Sequence, residues 1–503
     1  MPLSSVLQDV PDARIDGDPR TLVLGVECDS RRVKPGALFA ALRGRREDGH
    51  AHLDAALGAG ARSVLSAQLR QGRAPAAAWV TVADDRLALA RAARRFHGEP
   101  DTRLALAGVT GTKGKTSTAW LLESMIEAAG GRPGGAGTVR LRVAGEVEPA
   151  SLTTPDAPEL CALLARMVAA GCTHAVIEIS SQALDQYRVE GLRFRCAVFT
   201  NLSRDHLDYH GTMEAYLEAK ARLFRNLQPD AVAVLPAGDE AGERLAALTR
   251  ARVVRYGTEP RGPGADSQPG PAPELRVVSA AVSLEGIEAV LQTPDGPLRL
   301  RTPLLGRHNL PNLAAAAAAA WALGLPAAAI AAGAAATPRV PGRLERVDEG
   351  QAFLVFVDYA HTEDALRRTL EAVRELTRGR LLCVFGCGGD RDPGKRAPMG
   401  AAAAELADFP VLTSDNPRRE DPAAILREIE RGVRSAAPAR PYRVIPDRAE
   451  AIGAALREAR PGDAVLIAGK GHEREQILAD RRIPFDDREQ ARLVLREMAG
   501  RRP

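Results

Sequence analysis

Cysteine is scarce in this chain: 503 residues hold six, and no two are spaced as C-x-x-C. Cys383 and Cys387 form a C-x-x-x-C pair, but no further Cys or His pair stands near them to complete a metal site. Neither a disulfide framework nor a structural zinc site is indicated, and reduced thiols in a cytoplasmic protein are expected. Excess charge is also missing. The 68 basic and 64 acidic side chains leave a formal +4, which gives no reason to expect a nucleic-acid partner. The opening stretch, MPLSSVLQDVPDARIDGD, lacks a basic region and an apolar region, so no secretory leader is expected. The Ala-rich stretches at 313–322 and 327–336 are broken by Gly324, Pro326 and Gly333. They are expected as packed helices and not as a membrane span.

The composition itself, 45% hydrophobic and 26% charged, is that of a soluble globular protein. The length is too great for one core and suggests about three domains. Residues 1–102 form the first expected unit, closing on a helix that ends Arg91-Ala92-Ala93-Arg94-Arg95-Phe96 and a linker at Pro100. From 103 to 338, apolar strands (104–109, 174–179) alternate with amphipathic helices (118–129, 158–170), which predicts βαβ units and a parallel sheet. A Pro/Gly-rich stretch at 259–274 reads as an exposed loop, and Pro338-Arg339-Val340-Pro341-Gly342 as a second joint. Residues 339–503 then restart the pattern, with strands expected at 354–358, 381–385, 411–414, 442–445 and 464–468. The fold class expected is therefore α/β in three domains, with no internal repeat.

The clearest chemical signal is Gly111-Thr112-Lys113-Gly114-Lys115-Thr116-Ser117, between an apolar strand and a helix. Glycines there let backbone N–H groups approach phosphate oxygens. Lys115 can reach the β- and γ-phosphates of a nucleotide, and the Thr116 hydroxyl can sit on Mg²⁺. The spacing departs from the usual phosphate loop, since position 109 is Val and Gly108 comes one residue early. Glu178 ends an apolar strand, at the edge where α/β sheets place ligands, and can complete the Mg²⁺ shell that Thr116 begins. The run from Thr200 to Gly211 holds two histidines and two aspartates, of which His206 is the candidate second metal ligand. His308, Asn309 and Asn312 can contact the nucleotide. Arg343, in a Gly-Arg-Leu-Glu run, together with Asp358 and His361 at a strand end of the third unit, can reach it across a cleft.

Taken together, these motifs resemble the Mur ligase family. Thr110 to Thr116 match its TGTxGK[ST] loop, which accounts for the unusual spacing. The strand ending Glu178-Ile179-Ser180-Ser181, the Thr200–Gly211 run, the His308-Asn309…Asn312 run and the Gly342-Arg343…Asp358-Tyr359-Ala360-His361 pair follow in the family's order. The resemblance implies an N-terminal UDP-sugar domain (1–102), a central ATP domain with a P-loop-type sheet (103–338) and a Rossmann-like domain for the incoming amino acid (339–503). It implies Mg²⁺ as cofactor and ATP as co-substrate, no membrane partner, and a monomer. It also implies a carbamylated lysine at Lys220, an anion that bridges to Mg²⁺, so that Lys115, Lys220, His206 and Glu178 form the catalytic set.

Within the family, 29–40 and Asp48-Gly49-His50 look like the members that add the third residue of the peptidoglycan stem. Ser30 would lie near the uridine, and Thr153, Thr154, Ser180, Gln186 and Arg188 match contacts to UDP-N-acetylmuramoyl-L-alanyl-D-glutamate. The amino acid is expected to be meso-diaminopimelate, because Asp415-Asn416-Pro417-Arg418 carries the arginine that lysine-adding members lack. The physics agrees: the Arg418 fork can hold the carboxylate that distinguishes diaminopimelate from lysine. Asn416 adds a hydrogen bond, Glu473 and the Gly469 carbonyl take the distal ammonium, and Arg391 holds the carboxylate at the reacting end. A lysine-adding ligase, a folylpolyglutamate synthetase-like ligase and a non-catalytic nucleotide-binding protein remain the alternatives.

Overall fold

The structure, a computed structural model, describes residues 1–44, 47–69, 77–258 and 272–500. The Pro/Gly-rich stretch expected as a loop therefore lies, over 259–271, outside the described residues. Three separate sheets organise the remainder, together with a two-stranded hairpin, Glu475–Ile477 with Arg482–Pro484.

The first sheet has five strands, in the order Arg14–Asp16, Ala78–Thr81, Ser63–Ser66, Ala37–Ala40, Gly25–Glu27. All neighbours are parallel except the first pair. The helix Asp85–Phe96 covers it. That helix starts where the Asp84 carboxylate accepts from Arg86 N and Leu87 N, both at 3.0 Å, satisfying two N–H groups that the helix leaves unpaired. It packs on the helix Ala157–Ala169 of the next layer. One apolar cluster runs unbroken through both, from Leu3 and Leu89 to Leu160 and Phe199.

The second sheet has eleven strands built around Ala105–Thr110, which lies parallel between His174–Glu178 and Phe194–Phe199. The expected parallel sheet is found in these inner strands, continuing through Val232–Pro236 and Arg252–Gly257. Both edges differ from that expectation. Leu275–Ser283, Gly286–Thr293 and Gly296–Thr302 form an antiparallel meander, as do Pro133–Ala136, Arg140–Val143 and Glu146–Pro149. The cause is local: two-residue connections such as Pro294-Asp295 and Ala144-Gly145 can join only antiparallel strands. Ala144 and Gly145 both take positive φ, +50° and +99°, as a hairpin of this kind requires.

On one face lie the helices Lys115–Ala128, Asn309–Ala322 and Ala327–Ala336. Residues 314–320 are all buried alanines, and their small side chains let helix and sheet approach closely. The third sheet has six strands, in the order Glu345–Arg346, Leu354–Asp358, Ala464–Ala468, Leu381–Phe385, Phe409–Leu412, Arg443–Val444, parallel but for the first. Its central strands are buried along their whole length, in keeping with their unbroken apolar sequence. Among the described residues no helix is long and apolar enough to cross a membrane.

Candidate active site

The carboxyl ends of the second and third sheets open on one cleft of about 490 Å³, lined from one side by Asp205 and His206 and from the other by Tyr359, Asp415, Arg418 and Glu473. Ligands of open α/β sheets bind at such strand ends.

The nucleotide loop leaves the strand Ala105–Thr110 and enters the helix Lys115–Ala128. Gly111 and Gly114 take φ of +144° and +87°. A Cβ at Gly114 would overlap Asn312 Oδ1, and one at Gly111 would overlap the Thr200 hydroxyl. Glycine is therefore required at both positions for backbone conformation and for space. The loop is held from behind. Asn201 accepts from Lys113 N and donates to Lys113 O, each at 3.0 Å, and the Thr112 hydroxyl accepts from Ser203 N at 3.0 Å. Ser117 is buried in the first turn of the helix.

Thr116 Oγ1 donates to Glu178 Oε2 at 2.8 Å, so the two expected metal ligands are in direct contact. Thr138, which the sequence reading passed over, gives the same carboxylate its N–H at 3.0 Å and its hydroxyl at 3.0 Å. Hydroxyl and carboxylate oxygens converge at one buried point, a hard-oxygen donor set of the kind Mg²⁺ takes.

Three lysines crowd the loop. Lys115 Nζ donates to Gly111 O at 2.9 Å and Thr112 O at 3.0 Å; Lys220 Nζ, buried in the helix Met213–Arg225, donates to the same Gly111 O at 2.9 Å. Burial, with repulsion from Lys113, brings Lys115 down to about 8. Burial, with repulsion from Lys115 and Lys113, holds Lys220 well below the usual lysine range. A neutral, nucleophilic amine in that place is what carbamate formation requires, and a carbamate would turn a repelling neighbour into an anion. Lys113 pairs with Asp205 at 2.9 Å. Burial works to raise Asp205, but the charge and hydrogen bond of Lys113 together with His206 and His361 outweigh it and hold the carboxyl well below its ordinary range. His206 adopts φ +53° and stands edge-on to Tyr216, and burial lowers its ring below the usual histidine value.

From the third sheet, Arg343 reaches the loop: its Nη2 lies 3.5 Å from Thr116 Oγ1, and its guanidinium stacks 4.9 Å from the centre of the Tyr359 ring. Asp358 is buried at its strand end. Its oxygens accept from Leu344 N at 2.6 Å and Ala360 N at 2.8 Å, which fixes the turn that presents Arg343. His361 Nδ1–H donates to Tyr359 O at 2.8 Å, and the ring lines the cleft. Asn309 and Asn312 are buried and bonded to each other at 2.9 Å, and His308 Nδ1 is buried with no hydrogen-bond partner among the described residues.

The residues expected at the UDP substrate form a second group beside Glu178. Thr154 Oγ1 donates to Glu178 O at 2.8 Å and accepts from Ser180 N at 3.1 Å, while Thr153 Oγ1 lies 3.1 Å from the Thr138 hydroxyl. Ser180 caps the short helix Ser181–Asp185. Arg188 donates to Thr154 O at 2.7 Å and to Gln186 Oε1 at 2.7 Å, and pairs with Asp156 at 3.1 Å. Ser30 opens a single 3₁₀ turn capped by Asp29; in the same turn Arg32 reaches Glu159 of the central layer at 3.2 Å.

The third group surrounds Asp415-Asn416-Pro417-Arg418. Arg418, at φ +52°, donates to Gly389 O at 2.7 Å. Burial and the neighbouring Arg391 press against its charge and lower it. Asn416 Nδ2 donates to Glu473 Oε2 at 2.9 Å. Pro417 shapes the loop without lining the cleft; its carbonyl accepts from Glu420 N at 3.1 Å. Gly469 takes φ +118°, and a Cβ there would stand 2.6 Å from Asp415 Oδ2. Beneath this group Arg448 and Asp487, both fully buried, pair at 2.7 Å, and Arg448 donates to Ala468 O at 3.0 Å. Sequence reasoning missed this pair and the role of Lys470, because Asp487 lies 39 positions from Arg448 and Asn416 lies 54 from Lys470.

Three family descriptions match the chain: "Mur ligase family, catalytic domain" over 23–97, "Mur ligase middle domain" over 109–320 and "Mur ligase, glutamate ligase domain" over 342–471. The chain belongs to the Mur ligase family. Among curated relatives of this Mur ligase, the UDP-N-acetylmuramoyl-L-alanyl-D-glutamate–2,6-diaminopimelate ligase of Solibacter usitatus strain Ellin6076 is 47% identical, over 95% of this chain and 94% of its own. The protein of the same name from Gloeobacter violaceus strain ATCC 29082 / PCC 7421 is 46% identical, over 97% and 98%. A solved structure of a UDP-N-acetylmuramoyl-L-alanyl-D-glutamate–2,6-diaminopimelate ligase is 34% identical, covers 99% of this chain and 100% of its own, and superposes with a TM-score of 0.68.

Proposed function

We propose that this Mur ligase joins meso-diaminopimelate to UDP-N-acetylmuramoyl-L-alanyl-D-glutamate, converting ATP to ADP and phosphate, in the cytoplasmic assembly of peptidoglycan precursors. The observation that carries this reading is the pairing, in one cleft, of a cation and an anion suited to a zwitterionic tip. Arg418 is charged and poorly compensated, and Glu473 stands beside it on the same wall. A lysine substrate would leave the Arg418 guanidinium without an anion, at a cost on the order of 2–5 kcal/mol.

ATP would lie along the loop, with backbone N–H groups of 111–116 on its phosphates and Lys115 turned from Gly111 O and Thr112 O to the γ-phosphate. Thr116 and Glu178 would hold one Mg²⁺, and His206 with a carbamate on Lys220 a second. Mg²⁺ bound there supplies charge neutralisation between the triphosphate and the incoming carboxylate. Arg188, Thr153 and Ser180 would orient the dipeptide so that its terminal carboxylate meets the γ-phosphorus. A bond from carboxylate oxygen to phosphorus forms as the bond to the ADP oxygen breaks, giving an acyl phosphate. Arg343 and Lys115 stabilise the charge spread over the transferring group. The diaminopimelate amine, deprotonated and held through its neighbouring carboxylate by Arg391, then attacks the acyl carbon. Phosphate leaves, and the second proton of the amine passes to solvent. Closure of the third layer over the loop keeps water from the acyl phosphate.

The test is phosphate release with ATP, Mg²⁺ and the UDP-dipeptide, comparing meso-diaminopimelate with L-lysine. Release with diaminopimelate alone is the expected result. Release with lysine alone would move the protein to the lysine-adding branch, and release with neither would overturn the assignment.

A further inference from the structure

Lys470 is fully buried, yet it sits directly behind two of the residues assigned to the distal end of the amino acid. Its Nζ lies 3.0 Å from Asn416 Oδ1 and 3.0 Å from Glu473 Oε2. An ammonium can only donate, so the atom of Asn416 facing it must be the oxygen. A second donor, Ile477 N, meets the same Oδ1 at 2.9 Å. With Oδ1 taken twice, the NH₂ of Asn416 must turn the other way. One of its hydrogens goes to Glu473 Oε2 at 2.9 Å, and the other remains for a ligand in the cleft. Glu473 is constrained in the same manner: Oε2 accepts from Lys470 and Asn416, which leaves Oε1 for a ligand cation.

We infer that Lys470 is a specificity-determining positioning residue: it fixes which side of the distal pocket donates and which accepts, and so the configuration of the amino acid's far stereocentre. This rests on the proposed diaminopimelate activity. At that carbon an ammonium and a carboxylate must meet Glu473 on one hand and Asn416 with Arg418 on the other. The L,L isomer presents the two groups in mirror order. It would set ammonium against N–H donors and carboxylate against carboxylate, provided neither Asn416 nor Glu473 can turn. Lys470 holds both at once: with Ile477 N it keeps Asn416 Oδ1 from turning, and of those two donors it alone also holds Glu473. It touches no substrate itself.

The experiment replaces Lys470 with Met, which keeps length and removes the donors. It measures kcat and KM for meso- and L,L-diaminopimelate, ATP and the UDP-dipeptide. The expected result is a KM for meso-diaminopimelate raised about tenfold, with a preference for meso over L,L reduced about fivefold or more, while the KM values for ATP and the UDP-dipeptide stay within about twofold of wild type. Lys470→Gln offers a donor and an acceptor at the same place, so the fixed polarity is lost while a polar end is kept; it carries the same expectation if the Met variant does not fold. An unchanged meso-to-L,L ratio in a folded variant overturns the inference, as does an equal loss for all three substrates, the mark of general damage. A wild-type chain that couples no diaminopimelate would instead remove the functional reading, and this inference with it.

Discussion

At the scale of single residues, the charge of the site turns on Lys220. Three lysines approach the nucleotide loop, and two share one carbonyl oxygen. As an ammonium, Lys220 would repel Lys115 and any metal; as a carbamate it would attract both. Lys220→Ala is therefore expected to lower phosphate release by about a hundredfold or more, with partial recovery on adding formate or acetate, short anions that fit the vacated slot. Wild-type turnover in that variant would exclude the bridging role. In the proposed function, Arg418 makes the other decisive contact. Arg418→Ala should cost on the order of 2–5 kcal/mol in kcat/KM for diaminopimelate and much less in the KM for ATP. Equal losses for both substrates would show that the arginine supports the loop and does not read the ligand.

At the scale of elements, the strand–loop–helix unit around 111–116 depends on glycine for shape. Gly114→Ala would put a Cβ onto Asn312 Oδ1 at φ +87°. The expected outcome is a loss of about 1–3 kcal/mol in stability and weaker ADP binding, read by thermal melts with and without ADP. A melt and an affinity like those of wild type would show that the Asn312 side gives way at no cost. This unit was legible in the sequence, because strand, turn and helix signals are local and agree, although the helix begins at Lys115, three residues before the expected 118. The unbroken apolar strands of the third sheet were legible for the same reason. The meanders at the edges of the central sheet were not: their strands alternate like half-buried strands, and their direction is set by two-residue turns that the βαβ pattern hides. In the site, motif residues could be named, but Thr138, Lys470 and the Arg448–Asp487 pair could not. Each acts through a partner 39 or more positions away, or through a residue whose own orientation the fold must first fix.

At the scale of the whole molecule, the first two layers share one apolar cluster, while the cores of the third layer include few residues from outside it, such as Leu305. Two histidines of the third layer flank Tyr359, and one of them, His361, lines the cleft. Burial is the main cause that lowers both from 6.5, His361 to about 3 and His472 to about 4. The unfolded chain therefore binds protons that the folded chain refuses, so stability is unaffected above about pH 6.5 and falls as the pH drops from there toward about 3. A His361→Gln/His472→Gln double variant should lose less melting temperature than wild type between pH 6.5 and 4. Parallel curves would mean that other groups set the acid limb. The common cleft has one more consequence. The Arg204–Asp208 run, tied to the 111–116 loop through the Asp205–Lys113 pair, and the Arg418–Glu473 wall belong to different layers but line the same space of about 490 Å³. A compound that tethers a phosphate mimic to a diaminopimelate-like tip would make its second contact intramolecularly. Its affinity would then be set by tether length through effective concentration, and would collapse once the tether became too short to span the two layers.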